Sequence, residues 1–552
     1  MHFVSNDRLM RLRFCILSLV VLFASCAKVV MPVGGPRDVT PPTVVKCVPE
    51  NGTVNFSASN IKITFDEFVV LNNPSENIII SPPLSQQPKY EMKGKTLIIN
   101  FLDSLIDNST YNIVFSNGIK DYTEGNLLPI YQYAFSTGES IDSATISGVL
   151  LDAETQKPVS NVLVCLYDYD IDSLPFTTLP KYLTKTQTDG SFFFSNIKDG
   201  QYKVFAVSDI NSNFIFDLPN EGIAFLDTLY SSCLDIRSDS LKRSPLVLRY
   251  FIEEDTIQRV SAITSKTKGI YRFAYKLPVR DFHVQPFAGD DPSFYTQLSL
   301  SRDTISFYFK EEVLDSIYLL FSTEKRIDTV LIEPYKAPLR QGRGKKSEEP
   351  TLQVRALYSG DLFKPLTLQF SYPIRPIDSF PVTFIKKLKS RNDTVVVQYS
   401  VPDSFVLQLP LYFPYEEKYS YVVQISDSVF YGYDGTSHDS LTFEFTSKSI
   451  RDYGNLQMNY IVSEATDYLI FLLDAQDREV RKDLITSSSE LVYNNLVPGN
   501  YKIKVVKDLN KNGKWDTGNY KKKRQPEPIY YFEKPIQIRG YWDLEEEFRI
   551  GN

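Results

Sequence analysis

Histidine, tryptophan, methionine and cysteine are scarce in this 552-residue chain, at 3, 2, 5 and 5 residues. Three histidines leave little material for imidazole acid–base chemistry or His-ligated zinc. None of them opens a His-Glu-x-x-His motif, and no Gly-x-Ser-x-Gly elbow occurs. A basic excess is also lacking: 60 Lys and Arg face 67 Asp and Glu, for a net charge of −7. Nucleic acid requires a basic footprint, so no nucleic-acid partner is expected. No stretch reaches the length of apolar sequence that a membrane-spanning helix needs, about 18 residues. The plentiful residues are Tyr (35) and Phe (37), which suit pleated, half-buried surfaces.

The amino terminus reads as an address. Arg8, Arg11 and Arg13 precede a short apolar run, Phe14 to Phe23, too short to span a bilayer but right for a signal-peptide core. The run ends Leu22-Phe23-Ala24-Ser25-Cys26. This resembles a bacterial lipobox, with Phe23 departing from the usual aliphatic residue, and it implies that Cys26 is lipidated and becomes the first mature residue. Residues 1–25 would be lost with three Arg and one Asp, taking the charge from −7 to −9. Several acyl chains at ~0.8 kcal/mol per buried methylene would hold the protein on an outer membrane. The acidic cluster of a surface-export signal is missing after Cys26 (Ala27-Lys28-Val29-Val30), so the expectation leans to the periplasmic side. Of the remaining cysteines, Cys47, Cys165 and Cys233, at most one pair could form, and which two is open. Cys165, alternating with Val162, Val164 and Leu166, is expected to be half exposed.

Beyond a tether at 26–42, short runs of period-2 alternation (Ile61 to Phe65, Tyr111 to Phe115) are separated by Asn, Gly, Asp and Pro turns. The fold class is therefore all-β, as tandem sandwiches. Residues 36–138 contain Asp38-Val39-Thr40-Pro41-Pro42, Ile63-Thr64-Phe65-Asp66-Glu67, Gly118 to Asn126 and Phe135-Ser136-Thr137-Gly138. Together these resemble the SbsA-type bacterial Ig-like domain, often found in Bacteroidetes lipoproteins. Residues 144–249, with Ile146-Ser147-Gly148-Val149, Thr188-Asp189-Gly190-Ser191-Phe192 and Asn196 to Tyr202, are similar to the prealbumin-like (carboxypeptidase-regulatory, Cna-B-like) sandwich. Both patterns return. Asn196, Tyr202 and Asp209 match Asn495, Tyr501 and Asp508, making 452–552 a second prealbumin-like domain. A weaker echo at 351–448 makes a second, divergent Ig-like domain. Residues 255–335 read as a β-rich middle domain of unnamed fold, and 336–350 as a linker or long loop. Gln341-Gly342-Arg343-Gly344-Lys345-Lys346 in that linker is no phosphate loop, because Leu339 stands where a glycine is required.

One constellation carries ligand chemistry. Asp508, Asn510 and Asn512 alternate, Gly513 permits a sharp turn, and Asp516 follows, with Lys514 offering its backbone carbonyl. Hard cations take several oxygen donors from such alternate positions, so these residues are a candidate Ca²⁺ site. The bidentate Glu of an EF-hand is replaced by Asn519. An earlier copy, Asp209, Asn211, Asn213 and Asp217, keeps the oxygens and puts Phe214 in the glycine's place. Asx-turns without an ion are the structural alternative. His438, beside Asp439, reads as a solvated turn residue. The carboxylate runs Glu253 to Asp255 and Glu545 to Glu547 read as solvated faces, since glycosidase acids must stand across a cleft. The run Lys521-Lys522-Lys523-Arg524 reads either as an exposed hairpin or as a contact for anionic lipid or polysaccharide. The expected function is a non-enzymatic, lipid-anchored envelope scaffold. Its alternatives are glycan binding or an accessory role in a secretion or assembly machine, with an unknown envelope protein or polysaccharide as partner.

Overall fold

The computed structural model describes residues 38–551, apart from 233–245, 255–257, 280, 288–292, 300, 324–326, 337–350, 359, 376–381, 388–391, 396–397, 400–403 and 413–414. The signal segment, Cys26, Cys233 and nearly all of the linker at 336–350 lie outside the described residues. The regular secondary structure of the described residues is almost entirely strand, with two single-turn α-helices (Pro74–Asn77 and Leu174–Thr177) and a 3₁₀ turn (Ile450–Asp452).

Residues 44–136 form a sandwich. One sheet joins Val44–Val48, Asn60–Phe65, Thr96–Asn100 and Lys89–Lys93, and the facing sheet joins Ile78–Ser81, Thr110–Phe115 and Tyr131–Ser136. Ile61, Ile63, Phe65, Tyr111, Ile113, Phe115, Tyr133 and Phe135 fill the space between. The sandwich at 354–446 repeats its fine structure. Tyr111 Oη accepts the Ile106 N–H at 2.9 Å, and Tyr421 Oη accepts the Glu416 N–H at 2.9 Å. Thr137 and Ser447 each accept a backbone N–H, from Ser109 and Tyr419.

Residues 144–252 form one long sheet whose two edge strands, Tyr182–Lys185 and Ser191–Ile197, lie against each other. Its first strand, Ala144–Asp152, pairs antiparallel with Ser191–Ile197 and parallel with Leu246–Ile252. The same connectivity returns at 454–550, where Gly454–Val462 pairs antiparallel with Ser489–Leu496 and parallel with Asp543–Ile550. Asn196 and Asn495 take left-handed φ values of 53° and 58°. Asn tolerates that region better than most residues. Tyr202 Oη donates to the Lys198 carbonyl, and Tyr501 Oη to that of Val497, four residues back in both copies. The middle segment, 260–332, packs two sheets around Phe273, Phe307, Phe309 and Phe321.

Two expectations are corrected. Cys165 is not half exposed but buried at 1% exposure, and every residue of its strand, Leu163–Tyr167, is buried. Alternation implies one wet face only when one face is covered. Here Val164 and Leu166 face the core of their own sheet, while Leu163, Cys165 and Tyr167 face a second apolar cluster. Burial pushes the Cys165 thiol well above its ordinary value, which leaves it inert. Cys47 and Cys165 are both free thiols. His438 is likewise buried, at 3% exposure, rather than solvated. Its Nε2 accepts the Phe430 N–H at 3.1 Å and its Nδ1 lies 2.7 Å from the Asp439 carbonyl, so the ring is a neutral internal turn-tie. His283 is exposed on its strand.

Candidate functional site

The two Asp/Asn loops leave equivalent strands, Gln201–Val207 and Gly499–Asp508, and close in the same way. In the second copy, Asp508 accepts the Asn512 N–H at 3.2 Å and the Gly513 N–H at 2.7 Å. Asn510 accepts from Asn512 N–H and Asn512 from Lys514 N–H, a succession of Asx turns. The amides of Asn510 and Asn512 both donate to Asp516 Oδ2. In the first copy, Asp209 accepts the Asn213 and Phe214 N–H groups at 3.0 Å each, and the amides of Asn211 and Asn213 donate to the two oxygens of Asp217. The sequence-predicted residues therefore do converge within each loop.

Each loop also contains a glutamate that sequence spacing missed. Glu527 accepts the Leu509 N–H at 2.8 Å and the Asp516 N–H at 3.0 Å. Glu221 accepts from Ile210, Asp217 and Leu218. Each thus ties the two ends of its loop together. Glu221 follows Asp217 by four residues and Glu527 follows Asp516 by eleven, so no fixed offset reveals the pair.

The electrostatics differ among the acids. Burial raises Glu527 above the usual glutamate value, against the pull of its two backbone N–H donors, and the nearby charges of Asp508 and Asp516 add to the rise. Burial alone would raise Asp516 too, but the Asn510 amide, the Lys514 ammonium (3.4 Å) and the Asn512 amide outweigh it and hold Asp516 low. No group of three or more His, Cys, Asp or Glu stands close enough to share a metal ion among the described residues. The available donors are the side-chain oxygens of Asp508, Asn510, Asn512 and Asp516 and the Lys514 carbonyl. This all-oxygen set suits a hard cation. To bind one, the two asparagines must turn their oxygens inward in place of the N–H groups that now meet Asp516.

Both loops feed aromatic side chains into one apolar joint. Phe214, in the glycine's place, has a φ of 61°, an unfavourable region for a bulky residue. Its side chain packs against the cluster that contains Ile79 of the first sandwich. Phe216, Ile79 and Val114 belong to the same cluster as Cys165, Phe205, Phe225 and Phe251, and Trp515 packs on it from the second loop. The joint is completed by Tyr520, 4% exposed, which meets Phe225, Phe205 and Phe176 at ring distances of 4.9, 5.3 and 5.6 Å and donates through Oη to the Asp172 carbonyl at 2.7 Å.

The hairpin carrying Tyr520 is the one with the basic run. Its side chains are exposed, as one of the two expectations had it, but the hairpin itself is docked. Tyr520 N–H donates to Glu253 Oε1 at 2.5 Å, Thr517 Oγ1 to the Ile252 carbonyl at 2.8 Å and Gln525 Nε2 to the Phe225 carbonyl at 3.1 Å. Lys523 pairs with Asp172, which also holds the buried Lys203 at 2.6 Å. Glu253 is accordingly no solvated face: it receives the hairpin.

Residues 38–137 match a family described as the bacterial Ig-like domain, and no curated protein matches the chain. Among solved structures the chain is similar to the N-terminal part of the bacterial S-layer protein SbsC, at 17% identity and a TM-score of 0.14, over 35% of this chain and 43% of that one. It thus spans less than half the length of that structure. It is also similar to the longer S-layer protein rSbsC(31-844), at 12% identity and a TM-score of 0.13, over 92% of this chain and 68% of that one. BcpA, the major pilin subunit of Bacillus cereus, is similar at 9% identity and a TM-score of 0.14, over 74% and 99% of the two chains. Within a chain that is nearly all β, residues 38–137 are thus the stretch that matches the bacterial Ig-like domain family.

Proposed function

We propose that this protein is a non-enzymatic scaffold of the bacterial cell envelope, anchored to the outer membrane through lipid on Cys26 and facing the periplasm. The reading divides the mature chain into an SbsA-type Ig-like domain (36–138), a prealbumin-like domain (144–249), a middle domain (255–335), a second Ig-like domain (351–448) and a second prealbumin-like domain (452–552). The observation that carries it is the shared apolar joint. Side chains from 79–114, 163–251 and 515–520 form one cluster, so three sandwiches are held as one body instead of hanging as beads. A rigid spacer presents partners at fixed geometry, which a flexible tether cannot do. Incorporation of labelled palmitate into the wild-type protein, together with crosslinking in intact cells, tests the proposal. Label that survives Cys26→Ser, or a protein released in soluble form with Cys26 intact, overturns the anchor. A crosslinked envelope partner is the expected result, and its absence across linker lengths overturns the scaffold role.

Calcium belongs to the same reading, as a stiffener of the joint. The support is the repeated oxygen set with its tying glutamate and the position of both loops against the joint. With only a few carboxylates the affinity expected is that of extracellular modules, ~10⁻⁴–10⁻³ M. At ten times the dissociation constant a bound ion stabilises by about 1.4 kcal/mol. The full chain should therefore melt higher in millimolar Ca²⁺ than in chelator, and Asp516→Asn should abolish the shift. An equal melting temperature in both conditions for the wild type removes calcium from the proposal.

A further inference from the structure

Where the first sandwich meets the second sheet there is a cleft of ≈ 400 Å³. Its walls come from the strand ends around Val114 and Gln132 on one side and from the turn linking Tyr182–Lys185 to Ser191–Ile197 on the other. The volume lies within the range of about 300–1,000 Å³ typical of small-molecule sites.

The chemistry of the lining is unusual for this chain. Although acids outnumber bases overall, no Asp or Glu lines the cleft, and its single charged residue is Lys185. Lys185 Nζ donates to the Glu76 carbonyl at 2.7 Å and makes no ion pair with a carboxylate among the described residues. Burial lowers Lys185 from the ordinary lysine value, opposed by the charges of Glu76 and Asp209. The ammonium thus sits in a partly desolvated place with two N–H donors to spare.

Around it stand neutral hydrogen-bonding groups. The side chains of Asn117 and Gln187 make no hydrogen bond within the described chain, and Gln132 uses its Oε1 on the Ser195 hydroxyl (2.9 Å), which leaves its N–H₂ free. One wall is apolar: Phe193, 37% exposed, and Ile130, 54% exposed, both line the cleft. Phe193 points out of its edge strand because its neighbours Phe192 and Phe194 take the two inward positions.

The geometry points to a binding site for an acidic saccharide, a sugar of the uronate class: the apolar wall takes one face of the pyranose ring, the amides take its hydroxyls, and Lys185 takes the carboxylate. A neutral sugar offers the ammonium no carboxylate to pair with. An acidic peptide offers the charge but not the array of hydroxyls that the Asn117 and Gln187 amides and the free Gln132 N–H₂ are placed to meet.

Titration of the full chain with digalacturonate, its methyl ester and a short poly-glutamate, read by saturation-transfer NMR and calorimetry, tests this site. Digalacturonate is expected to bind, with the methyl ester about tenfold or more weaker, as befits loss of a charge-assisted contact. Phe193→Ala and Lys185→Gln are each expected to weaken digalacturonate by about tenfold or more. Gln187→Ala, on the exposed turn, supplies a variant that leaves the fold untouched and should weaken binding about threefold or more. Absence of digalacturonate binding at millimolar concentration overturns the site. So does affinity unchanged in both Phe193→Ala and Gln187→Ala, or equal affinity for poly-glutamate.

Discussion

Glu527 shows how one side chain can decide what its loop does. It is 5% exposed and receives the N–H groups of Leu509 and Asp516, so it pins both ends of the loop. Its value in the folded protein is raised by burial and by the charges of Asp508 and Asp516. The folded state therefore holds a proton on Glu527 in a pH window where the unfolded chain has lost it. That contribution is fully present below the unfolded glutamate value and is lost as pH rises through the raised folded value. Glu527→Gln cannot ionise and lacks this slope. The stability advantage of wild type over Glu527→Gln, from denaturant unfolding, should shrink as pH rises through that window. At its acid end the protonated carboxyl keeps a hydroxyl oxygen that still accepts, where Gln places an N–H₂ that cannot, so the variant leaves one backbone N–H unpaired at a cost of about 1–3 kcal/mol. An advantage constant with pH contradicts the raised value.

The docked hairpin is the element on which the joint turns, and Gly518 is its tightest point. A Cβ at 518 would collide with the Phe251 ring of the opposing sheet, although the backbone there needs no left-handed φ. Gly518→Ala should thus leave the sandwich at 454–550 intact and push the hairpin off the joint, carrying Tyr520 out of its pocket. Truncation of such a buried ring by Tyr520→Ala should cost about 3–5 kcal/mol at the same contact. Limited proteolysis checks both. Cleavage after Lys521, Lys522, Lys523 or Arg524 should be faster in the variants, and unchanged rates contradict docking. This element also shows where sequence reading reached its limit. The all-β class follows from alternation alone, and the loops followed from Asp and Asn at positions 1, 3 and 5. The repeat at Tyr202 and Tyr501 was legible because each tyrosine closes a local turn. What was not legible came from other parts of the chain. Cys165 is buried because a second cluster covers its outer face, and Glu253 is occupied because a hairpin more than 260 residues later lands on it. His438 is buried because the turn at Phe430 closes over its ring. A local pattern reports one face of a strand or one end of a loop, and tertiary docking determines the other.

At the scale of the whole molecule these contacts link the units in succession. The second sheet (144–252) holds the last sandwich (454–550) through Tyr520, Gln525 and the Lys504–Glu154 pair at 2.9 Å. The last sandwich holds its predecessor (354–446) through Tyr453, whose Oη meets Asp361 Oδ1 at 3.0 Å and the Leu362 N–H at 2.8 Å. That sandwich in turn holds the middle one (260–332). Tyr372 Oη donates to the Phe309 carbonyl at 3.2 Å, and Tyr295 packs against Phe405 and Tyr433. The first sandwich joins the second sheet through Ile79 and Val114 in the shared cluster and through Asn112, whose Nδ2 donates to the Ser195 carbonyl at 2.7 Å. Opening the Tyr520 joint frees the last sandwich from the second sheet, so the distance between them is no longer set by that contact. The weakest term in the Tyr520 joint is electrostatic. Lys203 and Lys523 hold Asp172 below the usual aspartate value, so its contribution is present above the unfolded value and is lost as pH falls through the folded one. Asp172 is about half exposed, which keeps that contribution small and screened by salt. The apolar contacts are insensitive to both conditions. Small-angle scattering should therefore give the wild-type chain one radius of gyration from neutral pH to mildly acidic pH and across salt concentration. In the double variant Gly518→Ala/Tyr520→Ala the radius should rise already at neutral pH, while the content of β structure by circular dichroism stays unchanged. An unchanged radius in the double variant would contradict the role of the joint in holding the last sandwich against the second sheet. A wild-type radius that rises with salt would rest the joint on the ion pairs instead of on the buried aromatic cluster.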